Sequence, residues 1–397
     1  LHISATATTK ELRRIDIGRA QNLCLAFSSD SRLLAAGFWS GKGASVLVWE
    51  LATGKQLCRI DGLSQPPVEL TFTPDGKRLL GHSTWGVVPN LRLDCWEVAT
   101  GRECKGVTLA SPQGQVRLGP DSRILAVPTS KGLDLWELAT MQIRATLPAL
   151  RTWPSEMAFS ANGALFFVAD TAGPVLIYDA YTGRLLGRLT GHRGQVVAFA
   201  FSANGRRLAT ASQDTTVLIW DLSRYQEKAR VRRLLSETEL TKQWQALAAE
   251  ASTAGPAIAA LRATPDQAIA FLRQHLQPFR ARDTAGATQW IRDLDSPRFS
   301  VRQKATRELA HLGESVEPIL QQALAAKPAP EARRRLKRLL EELSTLRGDR
   351  LRDLRAVEVL EQIGTPDARQ LLANLTHGAP GKLTEAAQTA LARLRSR

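Results

Sequence analysis

One phrase recurs five times in the first 224 of this chain's 397 residues, and its period leaves few folds open. Each copy runs from an apolar segment into a Ser/Thr/Pro-Asp/Asn-Gly-like turn and then into a second apolar segment. A third segment ends in Trp or Tyr plus an acid and is followed by an Ala-Thr-Gly-like turn. The first turns fall at Ser28-Ser29-Asp30-Ser31, Thr73-Pro74-Asp75-Gly76, Gly119-Pro120-Asp121-Ser122, Ser160-Ala161-Asn162-Gly163 and Ser202-Ala203-Asn204-Gly205, in steps of 45, 46, 41 and 42 residues. A unit of this length, made of short strands punctuated by turns, reads as one propeller blade.

The closing dipeptides keep the same phase: Trp49-Glu50, Trp96-Glu97, Trp136-Glu137, Tyr178-Asp179 and Trp220-Asp221. The pattern resembles the WD40 family over residues 1–224, most closely in the last copy, which opens at Gly191-His192 and ends at Trp220-Asp221. The resemblance implies a buried hydrogen-bonded tetrad of His192, Thr210, Asp214 and Trp220 in that copy. The other four copies depart from it. They carry Ala36, Gly81, Val127 and Val168 in place of Thr210, and Ser40, Trp85, Lys131 and Ala172 in place of Asp214. A buried carboxylate needs donors, so the tetrad is expected to be structural.

The expected blades are 22–60, 68–108, 114–147, 155–189 and 196–221. Ala7-Thr8-Thr9-Lys10 aligns with Ala52-Thr53-Gly54-Lys55, so residues 11–17 read as an orphan outer strand and the chain starts inside a blade. Two closures follow: 11–17 supply the fourth strand of the fifth blade, or further blades precede Leu1, because an unclosed propeller exposes sheet edges. Cys24, Cys58, Cys95 and Cys104 all fall in expected strands and read as buried thiols, with a Cys95–Cys104 bridge as the alternative.

After a basic linker at 225–236 the texture changes, and residues 237–397 carry Ala, Leu, Arg and Glu at helical spacing. Helices are expected at 237–250, 256–262, 265–276, 284–293, 298–312, 315–326, 330–344, 350–363, 366–376 and 383–395. Pro256, Pro265 and Pro366 suit first turns, and Gly313 and Gly364 suit stops. Segments 301–313 and 355–364 resemble first helices of HEAT-type repeats, which implies an all-α solenoid. The fold class is therefore multidomain, β followed by α.

The composition narrows function mainly by exclusion. Formal net charge is +15, and residues 225–397 hold 29 Lys/Arg against 20 Asp/Glu. The densest cluster is Arg333-Arg334-Arg335 with Lys337 and Arg338; it reads as a solvated helix face or as an anion-binding patch. No apolar run is long enough to span a membrane. No phosphate loop, zinc-binding helix or nucleophile-elbow motif occurs, and the six histidines have no partner at motif spacing, so catalysis, cofactors and metals are not expected.

The best site signal is a departure from the repeat. From the Asp214-equivalent position to the closing aromatic the distance is 6, 5 and 6 residues in the fifth, third and fourth copies, but 9 in the first and 11 in the second. The two enlarged loops carry Phe38 and Trp39, and His82 and Trp85, on what would be a partner-binding rim. The expected function is a non-catalytic protein-binding scaffold in the cytoplasm, its propeller and solenoid taking separate protein partners. One alternative is nucleic-acid association through the basic helices. Another, by resemblance to large bacterial regulatory proteins, is the C-terminal part of a larger enzyme such as a kinase, or of a sigma-factor-like protein.

Overall fold

The computed structural model describes residues 2–396 apart from 5–10, 18–19, 29–30, 42, 68, 74–75, 77, 84–89, 104–106, 111–115, 122, 130, 149–153, 172–173, 203, 229–233, 327 and 345. It divides into two compact units, one of Leu1–Met141 and Thr146–Trp220, the other of Gln142–Ala145 and Asp221–Arg397.

Among its described residues the first unit is built of strands and their connections, and each copy of the sequence phrase builds one sheet. The first blade is β3 (Gln21–Phe27), β4 (Leu33–Ser40), β5 (Gly43–Glu50) and β6 (Gln56–Leu63), paired in that order. The second is β7 (Glu69–Phe72), β8 (Arg78–Ser83), β9 (Asn90–Glu97) and β10 (Val107–Ala110), and the third is β11 (Arg117–Leu118), β12 (Ile124–Thr129), β13 (Gly132–Glu137) and β14 (Gln142–Pro148). The fourth is β15 (Pro154–Phe159), β16 (Leu165–Asp170), β17 (Val175–Asp179) and β18 (Leu185–Leu189). The last sheet has three strands, β19 (Val196–Phe201), β20 (Arg207–Ser212) and β21 (Val217–Asp221).

The turn chemistry explains the repeated phrase. Its first residue accepts from the start of the next strand: Ser28 Oγ from Leu33 N at 2.9 Å, Thr73 Oγ1 from Arg78 N at 3.0 Å, Ser160 Oγ from Leu165 N at 2.9 Å and Ser202 Oγ from Arg207 N at 2.9 Å. Its fourth residue takes positive φ, which glycine adopts freely at Gly76, Gly163 and Gly205, while Ser31 adopts it at 57°.

Consecutive sheets pack face to face through alternate strand residues. Ala35, Val46 and Val48 of the first blade meet Leu70, Leu79 and Trp96 of the second, and Leu93 of the second meets Val116, Leu125 and Val127 of the third. Fully burying such a side chain contributes roughly 1.5–3 kcal/mol. The other face of the first blade (Leu34, Ala36, Phe38, Leu47, Trp49) is packed by Ile15 and Ile3.

Ile3 lies on β1 (His2–Ser4), which pairs with β2 (Glu11–Arg14) in a two-stranded sheet of their own. The closure in which 11–17 complete the fifth blade is therefore not formed: β2 uses an edge on β1, and Arg13 donates to the carbonyls of Thr53 and Ala52 at 3.0 and 2.9 Å, fixing the strand on the first blade's outer turn. In the last sheet, Val217 and Ile219 of β21 remain 65% and 69% exposed.

The second unit carries α1 (Ser223–Lys228), α2 (Glu237–Ala246), α3 (Ala251–Ala263), α4 (Pro265–His275), α5 (Ala287–Asp293), α6 (Phe299–Leu312), α7 (Glu317–Ala325), α8 (Pro330–Ser344), α9 (Gly348–Ile363), α10 (Pro366–Thr376) and α11 (Lys382–Ser396). Ser236 caps α2 in a reciprocal capping box with Glu239. Two expectations need correction. The stretch read as a plain connector is helical over Ser223–Lys228, and Pro256 sits inside α3 rather than in its first turn. Proline there removes one amide from a helix that is otherwise buried along Ala254, Ala257, Ile258 and Leu261, whose packing outweighs the lost bond.

Helix α9 is the centre of this unit, buried over residues 355–363. Two of its buried charged groups are held by several bonds: Arg355 Nη1 donates to the carbonyls of Leu247 and Ala249 at 2.7 and 2.6 Å, and Arg393 of α11 grips Glu361 with two bonds of 2.7 and 2.6 Å. A buried guanidinium that satisfies carbonyls just beyond a helix end does the work of a C-terminal cap.

Candidate interaction surfaces

The acids of the closing dipeptides are turn residues. Glu50 accepts from Thr53 Oγ1 at 2.6 Å, Glu97 from Thr100 at 2.7 Å, Glu137 from Thr140 at 2.7 Å and Asp179 from Thr182 at 3.2 Å. Four carboxylates that a motif search could take for general acids are thereby committed to holding the turn between third and fourth strands.

In the last sheet the four tetrad side chains come together. Trp220 Nε1 donates to Thr210 Oγ1 at 2.9 Å, and His192 Nε2 lies 2.7 Å from the same oxygen. An ionised carboxylate can only accept, so the Asp214 oxygen beside Nδ1 places the ring proton there and leaves Nε2 to accept from the Thr210 hydroxyl. Nδ1 faces Asp214 Oδ2 at 3.3 Å and Thr216 Oγ1 at 3.0 Å. Asp214 also accepts from Thr216 Oγ1 at 2.6 Å, Arg193 N at 2.7 Å and Thr216 N at 2.9 Å. These donors, the Thr216 hydroxyl foremost, hold its carboxyl well below the usual aspartate range. Thr216 escaped the sequence reading. Its signal was a hydroxyl two residues after an aspartate in a turn.

The other sheets show why the tetrad stops there. At Gly81 an added Cβ would lie 2.8 Å from Trp96 Cζ3, so the indole occupies the space a threonine would need. In the third blade Val127 offers no acceptor, and the buried Trp136 Nε1 has no hydrogen-bond partner.

The rim residues separate from one another. The expected enlarged loop at Phe38 and Trp39 is a lengthened hairpin: β4 and β5 each run eight residues and pair from Leu33↔Glu50 to Ser40↔Gly43. Phe38 therefore alternates inward, 3% exposed, and is core, whereas Trp39 points to the opposite face and is 40% exposed. His82 lies in β8, opposite Glu69 and Leu93, and Trp85 falls outside the described residues. Cys58 is a buried thiol whose pKa burial pushes up; Cys24 and Cys95 are half-buried, and Cys104 lies outside the described residues.

On α8 the five-residue basic cluster splits by helical phase. Leu336, Leu339 and Leu343 face the core with Ala332. At about 3.6 residues per turn, Glu331, Arg335, Arg338 and Glu342 form the flank toward α6, and Arg333 and Lys337 fall on the other flank. Glu331 gathers three guanidiniums: Arg335 at 2.7 Å, Arg334 at 2.9 Å and Arg302 of α6 at 3.8 Å. The hydrogen bond from Arg335 leads in lowering its pKa. Arg338 pairs with Glu342 at 3.0 Å, and Arg333 donates to Pro328 O at 3.2 Å. Among the described residues no cluster of His, Cys, Asp and Glu could hold a metal ion, and no helix is long and apolar enough to cross a membrane.

Repeated four-stranded antiparallel sheets and hydroxyl-led turns form propeller blades, followed in the chain by a helical unit, and the last sheet carries a His-Thr-Asp-Trp tetrad similar to that of WD40 repeats. The family model described as WD domain, G-beta repeat matches residues 183–221, the copy that holds the tetrad. Curated relatives include protein tipD of Dictyostelium discoideum, 26% identical over 204 residues that make up 50% of this chain and 32% of that protein. The pre-rRNA-processing protein IPI3 of Yarrowia lipolytica is 28% identical over 243 residues, 54% of this chain and 55% of its own length. The chain thus spans between about a third and about half of these two relatives. Both are eukaryotic, so the bacterial affiliation expected from the sequence gains no support from them. A solved propeller domain of Cps50 (Swd1) from Myceliophteria thermophila aligns at a TM-score of 0.42 and 20% identity, over 52% of this chain and 66% of that one.

Proposed function

We propose that the chain is a non-catalytic protein-interaction scaffold whose propeller rim and helical unit take separate protein partners. The observation that carries this reading is Trp39. An indole 40% exposed near the tip of a hairpin longer than its counterparts in the third and fourth blades is what an interface anchor requires. The committed state of the closing acids and of the tetrad supports the same reading, because each of those groups has a structural task in a turn or a buried network. The second unit, read as HEAT-like helical pairs, offers a separate surface.

The test is quantitative affinity capture with the whole chain, with and without nuclease, beside Trp39→Ala. A protein partner retained after nuclease and depleted about tenfold or more by the substitution, on the order of 1.4 kcal/mol, is the expected result. A second reading rests on the Lys/Arg excess of residues 225–397 and on a relative named for pre-rRNA processing: association with an RNA-bearing assembly. Capture released by nuclease and indifferent to Trp39 would favour it.

A further inference from the structure

Helices α6 and α8 enclose a groove of about 280 Å³ lined by Thr306, Arg334, Arg335, Arg338, Leu339 and Glu342. Beyond the Arg338–Glu342 pair lies a larger hollow of about 690 Å³, to which Arg347 and Arg350 contribute. Arg335 is anchored, its Nε on Glu331 and its Nη1 3.3 Å from Thr306 Oγ1. Arg334 and Arg338 bond to acids on one side but remain 76% and 79% exposed. Each guanidinium has five N–H donors in a fixed fork and spends one or two of them on its glutamate, so donors remain toward the groove. Holding the fork by an ion pair also lowers the side-chain entropy lost when it meets a ligand.

We propose that this groove binds an extended, acidic segment of a partner protein, with carboxylates at alternate positions seated on Arg334 and Arg338. The spacing fits: residues i and i+4 of a helix rise about 6 Å along its axis, and alternate side chains of an extended strand stand roughly 6.6 Å apart on one face. The groove's own acids choose between polyanions. Glu342 in the lining, with Glu341 and Asp349 beside it in the larger hollow, would repel a nucleic-acid backbone that carries a charge at every step, whereas a peptide can place carboxylates only where arginine stands. Among the described residues, no aromatic side chain lines either hollow to stack a base.

The proposal deepens the reading of the helical unit as a partner-binding surface and rests on it. Its test is fluorescence anisotropy of a labelled peptide with glutamate at alternate positions, titrated with the whole chain, beside a single-stranded RNA of equal charge. Arg334→Gln with Arg338→Gln, both on exposed side chains that leave the core untouched, should weaken peptide binding tenfold or more. Glu342→Gln, whose amide oxygen can still accept from Arg338 while the repelling charge is gone, should strengthen it severalfold, an opposite response that loss of folding cannot produce, and unchanged thermal midpoints confirm the variants are intact. Three results overturn the groove: no peptide binding at low salt, binding indifferent to all the variants, or tighter RNA binding with the same arginine dependence. If the groove fails while a partner still docks on the helical unit in affinity capture, the scaffold reading stands and only this site is lost.

Discussion

At the residue scale, what decides the behaviour of this chain is whether a polar side chain has found its donors and acceptors. Thr210 serves Trp220 and His192 at once, so Thr210→Val should leave an indole N–H and an imidazole nitrogen stranded at a cost of about 2 kcal/mol, whereas Val127→Thr should supply the acceptor Trp136 lacks and gain about 1 kcal/mol. Thermal unfolding of both variants checks the pair; midpoints moving in the same direction would refute the tetrad as a stabilising network. Asp353 on α9 is the converse case. Burial, with the Asp349 charge adding to it, pushes its pKa from 3.8 up to about 6 against the pull of Arg352. Between those values the folded chain holds a proton that the unfolded chain has released, so this group weakens the fold as pH rises and does so fully above about pH 6. Asp353→Asn should therefore raise the unfolding midpoint at pH 7 and leave it unchanged near pH 4, which a pair of melting curves at the two pH values will show.

At the element scale, much of the architecture was legible because the repeat carries its turn chemistry in most copies. Ser28, Thr73, Ser160 and Ser202 announce the same turn, and the acid after each closing aromatic in the first four blades finds the Thr of the next turn. The helices from α4 to α11 fall within a few residues of their apolar periodicity, since Leu336, Leu339 and Leu343 on α8 can face only one way. What was not legible depended on neighbours distant in sequence. The extra residues before Trp49 read as a loop, yet they extend a hairpin because Phe38 finds Ile15 and Leu47 to pack on. Pro256 read as a helix start, yet tertiary burial carries α3 through it. The basic run on α8 read as one patch, and only the position of α6 divides it. Where a copy lacks the glycine its turn asks for, strain remains: Ser31, at a φ of 57°, should yield about 1 kcal/mol on Ser31→Gly, measurable as a rise in the denaturant midpoint at constant slope.

At the scale of the whole molecule, the first unit commits the acids of its repeat to holding turns and leaves Trp39 exposed, while the second holds buried polar bonds on its central helix and turns arginines outward along α8. Neither arrangement needs a reaction to explain it, and each presents a surface of different character: an aromatic tip in one case, a cationic groove in the other. The most direct test of the scaffold is site-specific photo-crosslinking in cells that express the chain, with a photoreactive phenylalanine analogue at position 39 and, as control, at position 185, where Leu185 is exposed to a similar degree. The account predicts a discrete protein adduct from position 39 that survives nuclease and does not form from position 185. Equal adducts from both positions, or none from position 39 in a chain that still captures its partners, would contradict it.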